Sequence, residues 1–142
     1  MRLTAFTDFG LRALMRLAGE PDRSFTTDEI ASEFAISRHH LVKVVRRLAE
    51  AGYVRTQRGA GGGFELARPA RAITLGEVVR DLEDDQPLVE CFRADGGNCV
   101  LTPRCRLKKK LAAAREAFLN ELDATSLADC AYSPPPRRRT IA

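Results

Sequence analysis

The stretch that most constrains the fold is residues 26–66, where two capped helical patterns close on a tight turn and run into a β-prone pair. Thr26-Thr27-Asp28-Glu29 reads as a capping box, with Thr26 as the cap and Glu29 three residues on. The helix it opens is short, with Ile30, Ala31 and Phe34 turned inward. After Ala35-Ile36, Ser37 is a good N-cap for a further helix through Ala51. Leu41, Val44, Val45 and Leu48 make its buried stripe at i, i+3, i+4 and i+7. Gly52 stops it at the C′ position. Two short helices joined in this way predict a helix-turn-helix. Tyr53 to Gln57 is β-prone, Arg58 to Gly62 is a glycine-rich turn, and Gly63 to Leu66 is β-prone again. A hairpin directly behind the second helix is a wing. The expected fold is mainly α with a small β-hairpin: a winged helix-turn-helix domain plus a long C-terminal dimerisation helix.

Charge decides between two uses of such a module, protein interaction and DNA binding. The net charge of +4, from 23 Lys+Arg against 19 Asp+Glu in 142 residues, is too small to choose. Its distribution is informative. Arg38, Lys43, Arg46, Arg47, Arg55 and Arg58 stand between positions 38 and 58 with Glu50 as the one acid. The outward positions of the helix that follows Ser37 carry His39, Lys43, Arg46 and Arg47. Basic residues on the two elements that would touch DNA favour double-stranded DNA as partner, with Arg38, His39, His40, Lys43, Arg46, Arg47 and Arg58 as the candidate contacts.

Around this module the chain reads simply. Phe6, Leu11, Leu14, Met15 and Ala18 predict a first helix over residues 6–18, ended by Gly19-Glu20-Pro21. Thr74-Leu75-Gly76-Glu77 is a second capping box, opening a helix with Leu75, Val78, Val79 and Leu82 inward and an acidic end at Glu83-Asp84-Asp85. Thr102 is expected to cap a last helix with Pro103 in its first turn, running to about Asp123, roughly 31 Å at 1.5 Å per residue. Leu107, Leu111, Ala114, Phe118 and Leu122 leave it an apolar face larger than one small domain needs to cover, which predicts a homodimer. Packing back on the chain's own module is the alternative. The Pro- and Arg-rich tail is expected to be disordered. The expected division is therefore 1–83 for the DNA-binding domain and its linking helix, 84–106 for a cysteine loop, 103–130 for the dimerisation helix and a short segment, and 131–142 for the tail.

The loop holds Cys91, Cys99 and Cys105 in fifteen residues, spaced C-x7-C-x5-C. They follow Pro87-Leu88-Val89-Glu90, Gly96-Gly97-Asn98 and Thr102-Pro103, so none has the setting of a buried core cysteine. A glycine-bearing loop that meets a helix start can turn three sulfurs toward one point. A bound metal or iron–sulfur cluster is favoured over disulfides, for which three is an odd number, and over inert thiols. Zinc fits less well, because no two cysteines have the close spacing of structural zinc sites. The ferredoxin spacings are absent, which argues against electron transfer. No apolar run approaches a membrane span, and Met1-Arg2-Leu3-Thr4 does not open a signal peptide, so no membrane and a cytoplasmic location are expected. No Ser-His-acid or paired-carboxylate arrangement recurs, so no enzyme is expected.

Several motifs together resemble the Rrf-type winged-helix regulators, and within them the nitric-oxide-sensing repressors. They are Leu3-Thr4-x-Phe6-Thr7-Asp8-Phe9-Gly10-Leu11-Arg12-Ala13-Leu14, Ser37-Arg38-x-His40-Leu41-Val42-Lys43, Ala51-Gly52-Tyr53-Val54 and Arg58-Gly59-x-Gly61-Gly62-Gly63. Gly76-Glu77-Val78-Val79-Arg80-x-Leu82-Glu83, the three cysteines and Thr102-Pro103-x-Cys105-Arg106-Leu107 continue the likeness to about Asp129. The resemblance implies a homodimeric repressor on a near-palindromic operator, with one iron–sulfur cluster per subunit and release from DNA when nitric oxide attacks it. It implies Cys91, Cys99 and Cys105 as cluster ligands, with Asp8 of the partner subunit as the fourth. A 4Fe-4S cluster is preferred, with 2Fe-2S as the alternative. An iron–sulfur-dependent regulator of iron or cluster supply is the runner-up, and a constitutive zinc-stabilised DNA-binding protein the reading from another class. Cys130 lies outside the three-cysteine pattern and reads as a bystander; His39, at the base-reading end of the helix, leaves the operator sequence open.

Overall fold

A computed structural model describes residues 2–60, 62–83, 86–102 and 104–135. Expectations for Gly61, Asp84, Asp85, Pro103 and the tail from Pro136 onward lie outside the described residues. The described residues form five α-helices and one hairpin in chain order: α1 Ala5–Gly19, α2 Thr27–Glu33, α3 Arg38–Glu50, β1 Val54–Thr56, β2 Phe64–Leu66, α4 Leu75–Glu83 and α5 Arg106–Asp123. Short 3-10 turns stand at Ala70–Ala72, Glu90–Phe92 and Leu127–Cys130.

Each N-terminus has its reason. Thr4 caps α1 by accepting the Thr7 N–H, and Thr26 and Glu29 make the full reciprocal box at α2. At α4 only half of the expected box forms. Thr74 Oγ1 accepts the Glu77 N–H at 3.2 Å, while the Glu77 carboxylate is taken by Arg68. Ser37 stands at the N-cap of α3 but makes no capping bond. The turn between α2 and α3 carries Ala35 at φ 52°, a left-handed conformation in a residue without glycine's freedom.

The core gathers one face of every helix in the DNA-binding half. Leu14 and Leu17 of α1, Ile30 of α2, Leu41, Val44 and Leu48 of α3, and Val78 of α4 are all buried. At Gly10 α1 comes close to α4, since a Cβ there would stand 2.6 Å from Leu82 Cδ1. The hairpin is antiparallel, with Val54 opposite Leu66, Arg55 opposite Glu65 and Thr56 opposite Phe64. It is welded to the helices by a third short partner. Phe25 and Phe64 exchange backbone hydrogen bonds of 2.9 and 2.7 Å, and Gly63 makes room, because a Cβ there would meet the Phe25 carbonyl at 2.5 Å.

The last helix departs from expectation at its start. It opens at Arg106, and its N-cap is Cys105, whose Sγ accepts the Lys108 N–H at 3.4 Å. Thr102 does not cap it; its hydroxyl is buried without a partner among the described residues. Further along, Leu119 is buried against the module and Arg80 of α4 grips Asp123 with two bonds of 2.6 and 2.7 Å. The chain then turns back. Leu127 is fully buried in the common core, its N–H donating to Ile73 O at 2.8 Å. Tyr132 N donates to Met15 O, and its ring tilts against Phe34 at 5.9 Å. The N-terminal stretch of α5 is uncovered: Leu107 is 63% exposed, and Leu111 and Phe118 are half-buried.

Candidate nucleic-acid interface and cysteine loop

Helix α3 buries Leu41, Val44, Val45 and Leu48, so the residues between them face outward by the 3.6-residue period. Arg38, His39, His40, Lys43 and Arg46 are exposed along it, and Arg58 is exposed in the turn of the hairpin. All six are exposed on the helix-turn-helix and its wing. They are not electrostatically alike. Arg38 Nε lies 2.5 Å from Asp28 Oδ1, and Arg46 Nε lies 2.9 Å from Glu50 Oε1. Lys43 and Arg58 have no ion-pair partner among the described residues. In the wing, Arg55 is matched by Glu65 across the strands at 2.6 Å.

Arg47 was expected on the outward face and is not there. Its guanidinium is half-buried and donates to the Asp81 carbonyl of α4 at 3.0 Å. Asp81 also accepts the Tyr53 hydroxyl at 2.5 Å. Burial, then the Asp81 carboxylate, push the Tyr53 phenol above its ordinary range. Arg47 and Tyr53 thus fasten the recognition helix and the first strand to α4. Sequence periodicity could not separate Arg47 from Arg46, because the acceptor that draws it in lies 34 residues away.

The cysteine loop presents a suitable donor set without a finished site. Cys91, Cys99 and Cys105 are free and half-buried. Cys91 lies in the 3-10 turn Glu90–Phe92, Cys99 follows Gly96 and Gly97, both at positive φ, and Cys105 caps α5. Among the described residues no three His, Cys, Asp or Glu side chains are grouped closely enough to hold a metal ion. Three thiols that can lose their protons suit iron or an iron–sulfur group in kind. The start of α5 favours negative charge at Cys105. Cys105 Sγ sits at a helix N-terminus, and Arg104, Arg106, Lys108, Lys109 and Lys110 surround it in sequence. Val100 and Leu101, beside Cys99, are 93% and 64% exposed.

Asp8 stands in the first turn of α1, between half-buried Phe6 and Phe9. Its carboxylate is engaged by Arg12 through Nε at 3.1 Å and Nη2 at 2.6 Å, with both side chains close to half-exposed. Cys130 ends the last 3-10 turn, where Asp129 and Ser126 cap each other. Near the loop, a cleft of about 430 Å³ opens between the N-terminal segment, α4 and α5, with Arg2, Glu83 and Arg115 on its walls. Thr4 closes one side of it by donating N–H and hydroxyl to Glu83 Oε1.

Comparison with known proteins places this arrangement. The family model Rrf2, described as an iron-dependent transcriptional regulator, matches residues 3–133. The HTH-type transcriptional regulator NsrR of Geobacillus kaustophilus is 48% identical over 130 residues, covering 91% of this chain and 88% of that protein. Among solved structures, CymR, the global cysteine regulator of B. subtilis, superposes with a TM-score of 0.73 at 30% identity, covering 92% of this chain and 96% of that one. IscR of T. potens gives 0.70 at 25% identity, covering 91% and 85%. No described helix is long and apolar enough to cross a membrane. With a family match over nearly its whole length and a winged helix that presents a basic recognition face, the chain belongs to the Rrf2 family of transcriptional regulators, DNA-binding proteins rather than enzymes.

Proposed function

We propose that this protein is a homodimeric repressor whose hold on its operator is gated by an iron–sulfur group sensitive to nitric oxide. The observation that carries the reading is the placement of three free thiols in one short loop leading into α5, in a winged-helix chain that is 48% identical to an NsrR over 130 residues. Cys91, Cys99 and Cys105, with Asp8 of the partner subunit, would hold the group. Bound there, it would supply iron that a small diatomic molecule can attack. A 4Fe-4S form, one per subunit, fits three thiolates and one carboxylate.

The rest follows from this chain's own residues. Within one subunit Asp8 is held by Arg12, so ligation across the dimer exchanges two charge-assisted hydrogen bonds for a metal contact. Asp8 sits on the helix that packs against α3 and α4 at Gly10. Were the group lost, Arg12 would be in place to hold Asp8, and α1 would be freed from the neighbouring subunit. A shift of α1 is passed to α3, because interdigitated cores move as units. On the DNA side, Lys43 and Arg58 bind phosphate, and Arg38, His39 and His40 stand at the end of α3 that meets base edges. Arg46 borders that surface, and Arg47 holds α3 to α4.

The test is the colour of protein purified without oxygen. Visible absorption that bleaches on adding nitric oxide, together with release of operator DNA, supports the reading. Colourless protein with stoichiometric zinc and unchanged DNA binding overturns it. Coloured protein that ignores nitric oxide but binds DNA according to cluster occupancy makes it a regulator of cluster supply.

A further inference from the structure

We propose that Asp28 is a specificity-determining residue: its carboxylate takes the Nε–H of Arg38 and so leaves the terminal nitrogens of that guanidinium to read a guanine. This deepens the reading of α3 as the helix that enters the major groove. Asp28 is the second residue of α2 and Arg38 the first of α3. They meet across the turn with Nε 2.5 Å from Oδ1. The pair is 66% and 72% exposed, and an ion pair so open to water contributes little to stability. What it does fix is the direction of one long side chain at the tip of the recognition helix.

Charge points the same way. Phosphate contacts gain from an uncompensated cation, which releases counterions on binding. Lys43 and Arg58 are of that kind among the described residues; Arg38 is not, because a carboxylate already offsets it. Its remaining donors suit neutral acceptors. Guanine offers two in the major groove, O6 and N7, spaced for a bidentate arginine. Residues at the N-terminal end of a recognition helix are the ones that reach base edges. Arg38 also lines the cleft between the start of α2 and the wing, together with Gln57 and Gly59, so the fork stands where helix and wing face the same groove.

The experiment uses the full chain purified without oxygen and a duplex library randomised across both half-sites. Wild type should enrich a guanine at one position per half-site. Arg38→Ala should lose that preference alone, with other positions and the salt slope unchanged. Asp28→Ala should lose about tenfold or more of the discrimination at the same position while its affinity for random duplex holds. Asp28→Asn, which keeps an acceptor oxygen, should retain part of it, and it carries the test if Asp28→Ala does not fold. Full guanine preference in both Asp28 variants overturns the proposal and leaves DNA binding intact. So does an Arg38→Ala that weakens all sequences alike and lowers the salt slope by about one, the mark of a phosphate contact. A wild type that enriches no sequence overturns both this proposal and the operator reading beneath it.

Discussion

A cation on an exposed helix serves a polyanion best when no carboxylate of its own chain has claimed it. Lys43 and Arg58 meet that condition among the described residues, whereas Arg38, Arg46 and Arg55 are paired and Arg47 is tied to a carbonyl. Lys43→Ala should therefore weaken binding to all duplexes alike and lower the slope of log affinity against log salt by about one. Titrations at several salt concentrations read this directly, and an unchanged slope would remove Lys43 from the docking face. At the other end of the switch, the doubly bonded Asp8–Arg12 pair sets a specific contest. Asp8→Ala should leave a group on the three cysteines with an altered visible spectrum and quicker reaction with thiols. Cys130→Ala should change neither. An unaltered Asp8→Ala spectrum, taken on protein kept from oxygen, would exclude Asp8 from the ligand set.

Among the elements, α5 divides its work along its length. Its C-terminal half is bound to the module by Leu119 and the Arg80–Asp123 fork; its N-terminal half leaves Leu107 and part of Leu111 to water. Glutamate at Leu111 or Phe118 should give monomers by sedimentation and abolish cooperative operator binding, while wild-type protein at micromolar concentration sediments as a dimer. The fork also predicts a pH dependence. Hydrogen bonding to Arg80 holds the Asp123 carboxyl below its ordinary value. A group lowered in the folded state contributes stability above the unfolded value, about 4, and loses it as pH falls through the folded one. Thermal melts of wild type should thus fall toward those of Asp123→Asn as pH drops below about 4; equal melts at neutral pH would show that the fork contributes nothing.

How much of this was legible depended on the reach of the forces involved. The two helices and hairpin of residues 26–66 could be read because a capping box, a four-residue stripe and Gly52 act within a few positions. The start of α5 was misread because Thr102-Pro103 looks like a helix start, whereas the sulfur of Cys105 takes the capping bond. Arg47, the Phe25–Phe64 bridge and Leu127 depend on partners far along the chain, and no local pattern marks them. That the basic residues of the candidate DNA face stand exposed was readable for all but Arg47. Which of those charges are already neutralised was not.

For the whole molecule, a two-fold dimer with one recognition helix per subunit should prefer half-sites one helical turn apart, about 34 Å. Inserting half a turn of DNA between them should reduce affinity to that of a single half-site in band-shift titrations; equal binding at every spacing would deny a rigid dimer. The return of the chain after α5 has a different consequence, one that concerns how the molecule is made. Leu127 completes a core whose other members lie between residues 13 and 82, and Tyr132 straps α1 by its N–H to Met15 O. The DNA-binding half is synthesised first, but its core closes only when the segment carrying Leu127 has followed it out of the ribosome. A prematurely terminated chain is therefore not a smaller repressor lacking its sensor. It is an unfinished core with exposed apolar surface, a substrate for chaperones and proteases, so a chain must extend through Leu127 to bury that surface.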